Sequence, residues 1–565
     1  MRKVRKVRTA RPPGDRRPSR WALSRAMRRD ATTRRTTNVR LHVLAYALLN
    51  VLAAQIAVFA LLPRAPRRVD LTLFCIALVF AGATPVLASA LQYLVIGLHR
   101  FHTGYRRLTP FYPRTAIVVP AWNEAAVIGT TIDQLLHMSY PAERLRVYVV
   151  DDASTDATPD IVRAKALDDP ERVVHIRRVE GGQGKAHTLN AGIDRALADD
   201  WAQAILIIDA DVLFEKDALR KMTRHLSDRT VGAVTAYIKE GTPNANYLNR
   251  FITYEYITAQ AAARRAQNVF GALACLAGGA QLHSRQNMID IGGRIDTSTL
   301  AEDTVTTFKT QHAGNRAVFE PNAVVWAEEP KDLAALWKQR MRWGRGNVEI
   351  TIQFAHLWTQ SNGFGRLAGL PIKMLWFSVL LMPIVMFGSA VGLIGLYFIN
   401  AGTAWSVFRA LWIWSLLVYV FQTAMAFAVD PGAAKRSWFQ ALTFPGIVSL
   451  AIMAHSACPP IVDATLARWL LALGLEPRSN LAVTLSLAMY AWCFLCIPAA
   501  YVGKLCAEHR TTKWLTPFCV YIAGYGPFLC AVTFAAYVQE LMNKQAVWDK
   551  TIKTGAVVVP DAAAR

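Results

Sequence analysis

Apolar and polar positions divide this chain into blocks of different period. Two apolar stretches, 41–62 and 71–98, each exceed the about 20 residues a helix needs to cross a bilayer. Between about 100 and 370, charged residues recur and short apolar runs alternate with helix-like segments. The runs Ala116–Val119, Val147–Val150 and Ile205–Ile208 are continuously apolar and largely β-branched, as parallel strands buried on both faces are. Segments 123–137 and 185–199 read as helices between them. This alternation predicts an α/β domain with a mainly parallel sheet, in which ligands bind beyond the carboxyl ends of the strands. After 370 the chain is apolar again, with candidate spans at 372–399, 405–428, 438–458, 481–505 and 514–538. The links 429–437, with Lys435 and Arg436, and 503–514, with Lys504, Arg510 and Lys513, carry the positive charge of cytoplasmic loops. The run 438–458 is the weakest, since it holds Pro445 and His455, and re-entrant or interfacial placement is the alternative to a span there. Five spans and four put the C-terminus on opposite sides, and the sequence leaves that open.

Composition sharpens the picture at one end. The 565 residues are 53% hydrophobic and carry a net charge of +23, much of it in residues 1–40. There fifteen Lys and Arg face only Asp15 and Asp30. Such a tail has too few large apolar residues to bury a core and is expected to be disordered. Lying directly before an apolar block, it belongs on the cytoplasmic side, near anionic headgroups. The block starts too late and runs too long for a cleaved signal peptide. No recognition fold accompanies the basic tail, so no nucleic-acid partner is expected. Cys493 and Cys496 form a C-x-x-C inside an apolar run, where small packing residues are the default reading.

Candidate chemistry gathers at the strand ends. The first strand runs into Asn123-Glu124, the second into Asp151-Asp152 and the third into Asp209-Ala210-Asp211, so carboxylates converge on one rim of the sheet. An Asp-x-Asp there can hold Mg²⁺ or Mn²⁺ through oxygen, with a diphosphate completing the shell and losing charge to the cation. Alone the motif is more often a solvated turn; its place behind four apolar residues, with Asp151 and Asp152 upstream, favours the metal. Gly181-Gly182-Gln183-Gly184-Lys185 precedes a helix, where backbone N–H groups approach an anion and Lys185 can pair with phosphate. Glu302-Asp303 suits general-base work on an attacking hydroxyl, although acids are also common at helix N-termini. In Gln339-Arg340-Met341-Arg342-Trp343 the arginines suit a diphosphate and the indole suits a sugar face.

This order of motifs, flanked by apolar blocks, resembles the processive members of glycosyltransferase family 2: the cellulose, chitin, hyaluronan and poly-N-acetylglucosamine synthases. By motif the resemblance covers 112–350, and by layout the whole chain. It implies a GT-A (Rossmann-like) catalytic domain in the cytoplasm, inserted between transmembrane helices, and inverting transfer from a UDP-sugar. By that resemblance Asp152, with Asp151 beside it, contacts the uridine part of the donor. Asp209 and Asp211 hold the metal, and Asp303, with Glu302, is the base. Gln339, Arg340, Arg342 and Trp343 line the acceptor and diphosphate end, and Gly278-Gly279 is a small-residue loop near the acceptor. Glu124 and Lys185 complete the expected donor site. Ala301 stands where a hydroxyl residue is frequent, but both acids remain. The expected layout is a basic tail (1–40), two transmembrane helices (41–98), a catalytic domain (99–350), an interfacial helix (351–371), four to five transmembrane helices (372–538) and a C-terminal tail (539–565). The protein is expected in the inner (plasma) membrane as a multi-pass chain. The expected function is growth of a β-linked polysaccharide and its export through the bilayer. UDP-N-acetylglucosamine is the favoured donor and UDP-glucose the second. The alternative is a transferase that adds one sugar to a lipid carrier. A transporter with a nucleotide-binding regulatory domain would need neither the base nor the Asp-x-Asp.

Overall fold

The computed structural model describes residues 67–102, 108–242, 245–359, 365–458 and 480–542, together with Val557. The basic tail, the apolar stretch 41–62 and most of the C-terminal tail lie outside the described residues.

One eight-stranded mixed sheet organises the region between Thr115 and Ala327, in the order β3-β2-β1-β4-β7-β6-β8-β5. The strands are β1 (Thr115–Ala121), β2 (Leu145–Asp151), β3 (Val173–Arg177), β4 (Ala204–Ile208), β5 (Leu213–Phe214), β6 (Val231–Glu240), β7 (Ala280–Ser284) and β8 (Arg316–Ala327). The expected parallel arrangement holds for β3, β2, β1 and β4. Beyond β4 the reversals are local: β7 runs antiparallel to both β4 and β6, β6 and β8 pair in parallel again, and β5 runs antiparallel to β8. Alternate residues of β1 serve two cores. Ile117 and Val119 pack with Ile128, Ile132 and Leu135 on one face. Ala116 and Val118 pack with Leu189 and Ile193 on the other. From β1 the chain steps outward to β2 and β3, then returns to β4 on the other side of β1. That reversal opens a crevice beyond the carboxyl ends of β1 and β4.

The helix expected from 123 begins only at Ile128. Asn123 takes φ 53, its side chain accepts from the Thr155 N–H (2.9 Å), and its own N–H donates to Ser154 Oγ (2.9 Å). The first residues after β1 are thus spent joining the β1 and β2 rim loops.

The apolar blocks are more broken than their hydropathy suggests. Helices Met382–Ile399, Ala401–Val429 and Val483–Glu508 are each long and apolar enough to cross a membrane. The 71–98 stretch is instead two helices, Val69–Ala81 and Thr84–Ile96, bent by 42°. The 372–399 stretch splits into Leu370–Leu380 and Met382–Ile399, with Pro383 in the first turn of the second. The 514–538 stretch belongs to a pair, Lys513–Ala523 and Tyr525–Leu541, bent by 102°. The 438–458 stretch is two short helices, Trp438–Thr443 and Ile447–Ala457. The last two breaks meet. Gly446 (φ 91) and Gly524 (φ 105) lie back to back, and a Cβ on Gly446 would stand 2.6 Å from the Ala523 carbonyl. Only glycine permits both that backbone conformation and that approach.

The interfacial helix expected over 351–371 is corrected. A long helix, Leu333–Gln353, is followed by the short Ala355–Thr359 and, after residues outside the description, a 3₁₀ turn Gly365–Ala368. Phe354, Leu357, Trp358 and Leu367 are buried against Val305 and Phe308. Apolar side chains of this stretch are therefore used against the helix Glu302–His312. The Leu333–Gln353 helix, capped by the Asp332 side chain on the Ala335 N–H (2.9 Å), runs parallel to Tyr525–Leu541. Trp337 meets Phe528 with ring centroids 5.6 Å apart, a Cβ on Gly344 would lie 3.1 Å from Ala536 Cβ, and Arg345 pairs with Glu540 at 2.6 Å.

Candidate active site

Lys185 stands at the centre of the site. It opens the helix Lys185–Ala198, behind Gly182 (φ 80) and Gly184 (φ 105), whose backbone conformations suit glycine alone. Its Nζ pairs with Asp209 Oδ1, lies 3.7 Å from Glu302 Oε1 and approaches the Gly278 carbonyl at 3.5 Å. Burial alone would lower its pKa, but the charges of Asp209, then Glu302, outweigh burial and raise it. Lys185 is therefore a fixed cation at the end of β4. The same burial pushes the Glu302 carboxyl up to about 7, opposed by Lys185 and reinforced by Asp303.

Asp303 is in the first turn of the helix Glu302–His312, where the helix dipole favours a carboxylate. Its Oδ1 accepts from the Thr304 N–H at 2.7 Å. Two glycines keep the space beside these acids open. A Cβ on Gly278 would lie 3.3 Å from Asp303 Oδ2 and 3.5 Å from Lys185 Nζ. A Cβ on Gly279 would lie 3.5 Å from Asp209 Oδ2 and 3.0 Å from Val212 Cγ2. A cavity of about 360 Å³ adjoins the cluster, lined by the 182–187 loop, residues 297–300, Glu302 and Glu349. Thr299 Oγ1 donates to Glu349 Oε2 (2.7 Å), and burial raises the Glu349 pKa.

Asp209 and Asp211 flank Ala210 directly after β4, both half-buried. Among the described residues, no group of three or more His, Cys, Asp or Glu forms a protein-only metal cage. Two carboxylates at a strand end fit a magnesium-like ion that draws its remaining ligands from substrate phosphates and water.

The other expected residues separate into two groups. Asp152 stays with the site: its carboxylate takes Arg178 and the Gly182 N–H (3.0 Å), and Arg178 continues to Gln183 Oε1 (2.6 Å). Asp151 has a different task. It is fully buried, its Oδ1 holds the Ser154 N–H (2.9 Å), and Arg177 lies 3.4 Å from its Oδ2. No surface of Asp151 is left for a donor, because the strand partner and the turn enclose it. Glu124 is half-buried on the turn after β1, and its N–H donates to Thr158 Oγ1 (2.8 Å).

Gln339, Arg340, Arg342 and Trp343 lie on the Leu333–Gln353 helix. Arg340 is buried and gripped through two nitrogens by Glu255, at 3.1 and 2.9 Å. It therefore does not present its charge to a diphosphate in this arrangement. Gln339 donates to Glu329 Oε2 (3.3 Å). Arg342 is half-buried, and Trp343 is 38% exposed, with the Arg340 guanidinium 4.0 Å from its ring centroid. Sequence reasoning passed over Arg178, Glu255, Tyr525 and Glu349. Of these only Arg178 carried a readable sign, a basic residue one position past a strand.

Residues 113–346 match the model of the Glycosyltransferase like family 2. The chain is 30% identical over 272 residues to a probable glycosyltransferase, YdaM, of Bacillus subtilis, covering 46% of this chain and 64% of that relative. It is 28% identical over 241 residues to the poly-beta-1,6-N-acetyl-D-glucosamine synthase of Staphylococcus aureus, covering 42% of this chain and 55% of that one. The matches thus span less than two thirds of either relative. Among solved structures, the mannosyltransferase PcManGT of Pyrobaculum calidifontis, in complex with GDP-Man and Mn²⁺, aligns at 23% identity with a TM-score of 0.42, over 64% of this chain and 99% of that chain.

Proposed function

Because residues 113–346 match the Glycosyltransferase like family 2 model, we propose that this chain is an inverting hexosyltransferase that extends a β-linked polysaccharide from a UDP-sugar and passes it through the membrane. The observation that carries the reading is the cluster of Lys185, Asp209, Glu302 and Asp303 around the Gly278–Gly279 opening, at the reversal point of the sheet. The acceptor hydroxyl attacks the anomeric carbon, the bond to the β-phosphate oxygen breaks, and UDP leaves. Asp303 takes the hydroxyl proton as it attacks. Lys185 meets the diphosphate with a buried positive charge, and the N–H groups of the glycine loop face it at a helix start. Asp152, fixed by Arg178 and Gly182, serves the nucleoside end. A divalent cation held by Asp209 and Asp211 would neutralise charge on the departing diphosphate. Trp343 offers its exposed ring to the terminal sugar of the acceptor.

The poly-N-acetylglucosamine synthase relative supports UDP-N-acetylglucosamine as donor, with UDP-glucose second. Export is supported by a second cavity, of about 310 Å³, among the apolar helices. Ser89, Trp412, Ser415, Tyr419 and Gln422 line part of it. Polar side chains are expensive inside a membrane and are kept there where they serve a path or a partner. The catalytic domain faces the cytoplasm, where nucleotide sugars are found. The test is labelled UDP-sugars offered one at a time to membranes, with glycosidase digestion of the product. Asp303→Asn is the paired variant, expected to cut transfer at least about 10²–10⁴-fold while UDP binding persists. A single sugar on lipid with every donor would replace the polymer reading with the single-addition one. Loss of UDP binding in Asp303→Asn would make Asp303 a donor ligand.

A further inference from the structure

The Leu333–Gln353 helix carries a buried charge that the transfer reaction does not use. Arg340 has almost no exposed side chain (4%), and its guanidinium is held through Nε and Nη2 by the two oxygens of Glu255. Glu255 is itself buried, the last residue of the helix Tyr247–Glu255. The Tyr525 hydroxyl donates to Glu255 Oε2 at 2.6 Å. Tyr525 follows Gly524 and so sits at the apex of the 102° bend between the last two apolar helices. Its ring stacks flat on Phe251, with centroids 5.1 Å apart and planes 4° apart. On its other side Arg340 lies 4.0 Å from the ring of Trp343, three positions along the same helix. A buried ion pair of this kind costs desolvation and adds little net stability. Its geometry, bidentate and completed by a tyrosine, suits registry between parts.

We infer that Glu255 and Tyr525 are positioning residues, which act through Arg340 to hold the Trp343 ring at the acceptor end and tie it to the bend in the membrane helices. The inference rests on the transfer reading for its functional consequence. Its structural half stands apart: loosening the clamp should loosen the Arg340–Trp343 segment whether or not sugar is transferred. Because Arg340 contacts the indole while Lys185, Asp209 and Asp303 form a separate cluster, damage to the clamp should reach the acceptor before it reaches the donor.

The experiment uses the full chain in detergent with Tyr525→Phe, which keeps the stacked ring and removes one hydrogen bond to a charged group. Glu255→Gln is the stronger variant, and Glu255→Gln with Arg340→Gln is the double. Three quantities are read: UDP release without acceptor, sugar transfer to acceptor, and hydrogen exchange of segments 339–345 and 182–187. For Tyr525→Phe, transfer should fall about tenfold, as loss of a charge-assisted hydrogen bond allows, while UDP release and donor KM change less than about twofold. Exchange should rise over 339–345 and not over 182–187. The double variant should be no worse than Glu255→Gln alone, as expected for groups that act as one unit. Parallel loss of transfer and UDP release, additive losses in the double, or unchanged exchange over 339–345 would each overturn the inference. A wild-type chain that moved no sugar would instead defeat the transfer reading, with the exchange result still deciding whether the clamp exists.

Discussion

A single methyl group should test how the Leu333–Gln353 helix is seated on the segment that leads into Glu302 and Asp303. Gly346 lies against Ala301, and a Cβ built on it would stand 2.5 Å from Ala301 Cβ. Carbon atoms prefer about 3.5–4.0 Å, so Gly346→Ala must push the helix and the 301 loop apart by about 1 Å. Overpacking of that size costs about 1–3 kcal/mol, and glycine to alanine within a helix returns about 0.5–1 kcal/mol. The net loss should be about 1–2 kcal/mol. Catalysis should suffer more, since Ala301 directly precedes Glu302 and Asp303, and a shift of about 1 Å in a reacting group can cost about 10²-fold. Gly344→Ala on the same helix is the matched control: its Cβ would lie 3.1 Å from Ala536 Cβ, a gap that closes with a few tenths of an ångström. Thermal unfolding in detergent and transfer from labelled UDP-sugar read both effects. Wild-type melting and wild-type transfer in Gly346→Ala would refute the seating, and equal damage in Gly344→Ala would show that helix substitution, not the Ala301 contact, is responsible.

Glu302 gives a pH dependence of known sign. Its carboxyl rises from 4.5 to about 7 in the folded chain, so its stabilising contribution is present below about 4.5 and is lost as pH rises to about 7. In EDTA and without donor, Glu302→Gln should gain stability relative to wild type between pH 4.5 and 8, by at most about 3 kcal/mol; a constant difference across that range would contradict the burial argument. Chelation of divalent cations, or Asp211→Ala, should reduce transfer by about 10²-fold or more, and full transfer in excess EDTA would remove the metal from the reading. Trp343→Ala should shorten products more than it slows UDP release, and undiminished product length would end the stacking role.

The breaks in the apolar helices show where a sequence stops being legible. β1, β2 and β4 were readable because each is buried on both faces, which forces a continuous apolar run regardless of what surrounds it. Asp209 and Asp303 were readable as candidates because each acid directly follows or opens a recognisable element, and the structure brings both to Lys185 and the Gly278–Gly279 opening. Of the apolar blocks, 405–428 and 481–505 were readable as single helices long enough to span, and the others only as blocks. Hydropathy averages over a window, whereas the breaks rest on single residues: Pro383 in a first turn, Gly446 and Gly524 where two backbones touch. Those glycines were visible, but the contact that requires them lies far along the chain. The same distance hid the clamp. Arg340 was readable only as part of the Gln339–Trp343 motif, Glu255 and Tyr525 look ordinary in sequence, and nothing local marks a carboxylate that meets a guanidinium 85 positions away and a phenol 270 positions away. Ala301 carries the point furthest. Beside the family pattern it reads as a lost hydroxyl, and beside Gly346 it reads as the residue that lets two backbones close. A departure from a motif can therefore be the trace of a tertiary contact, and at this site the acids kept their identity while the residue beside them followed the packing.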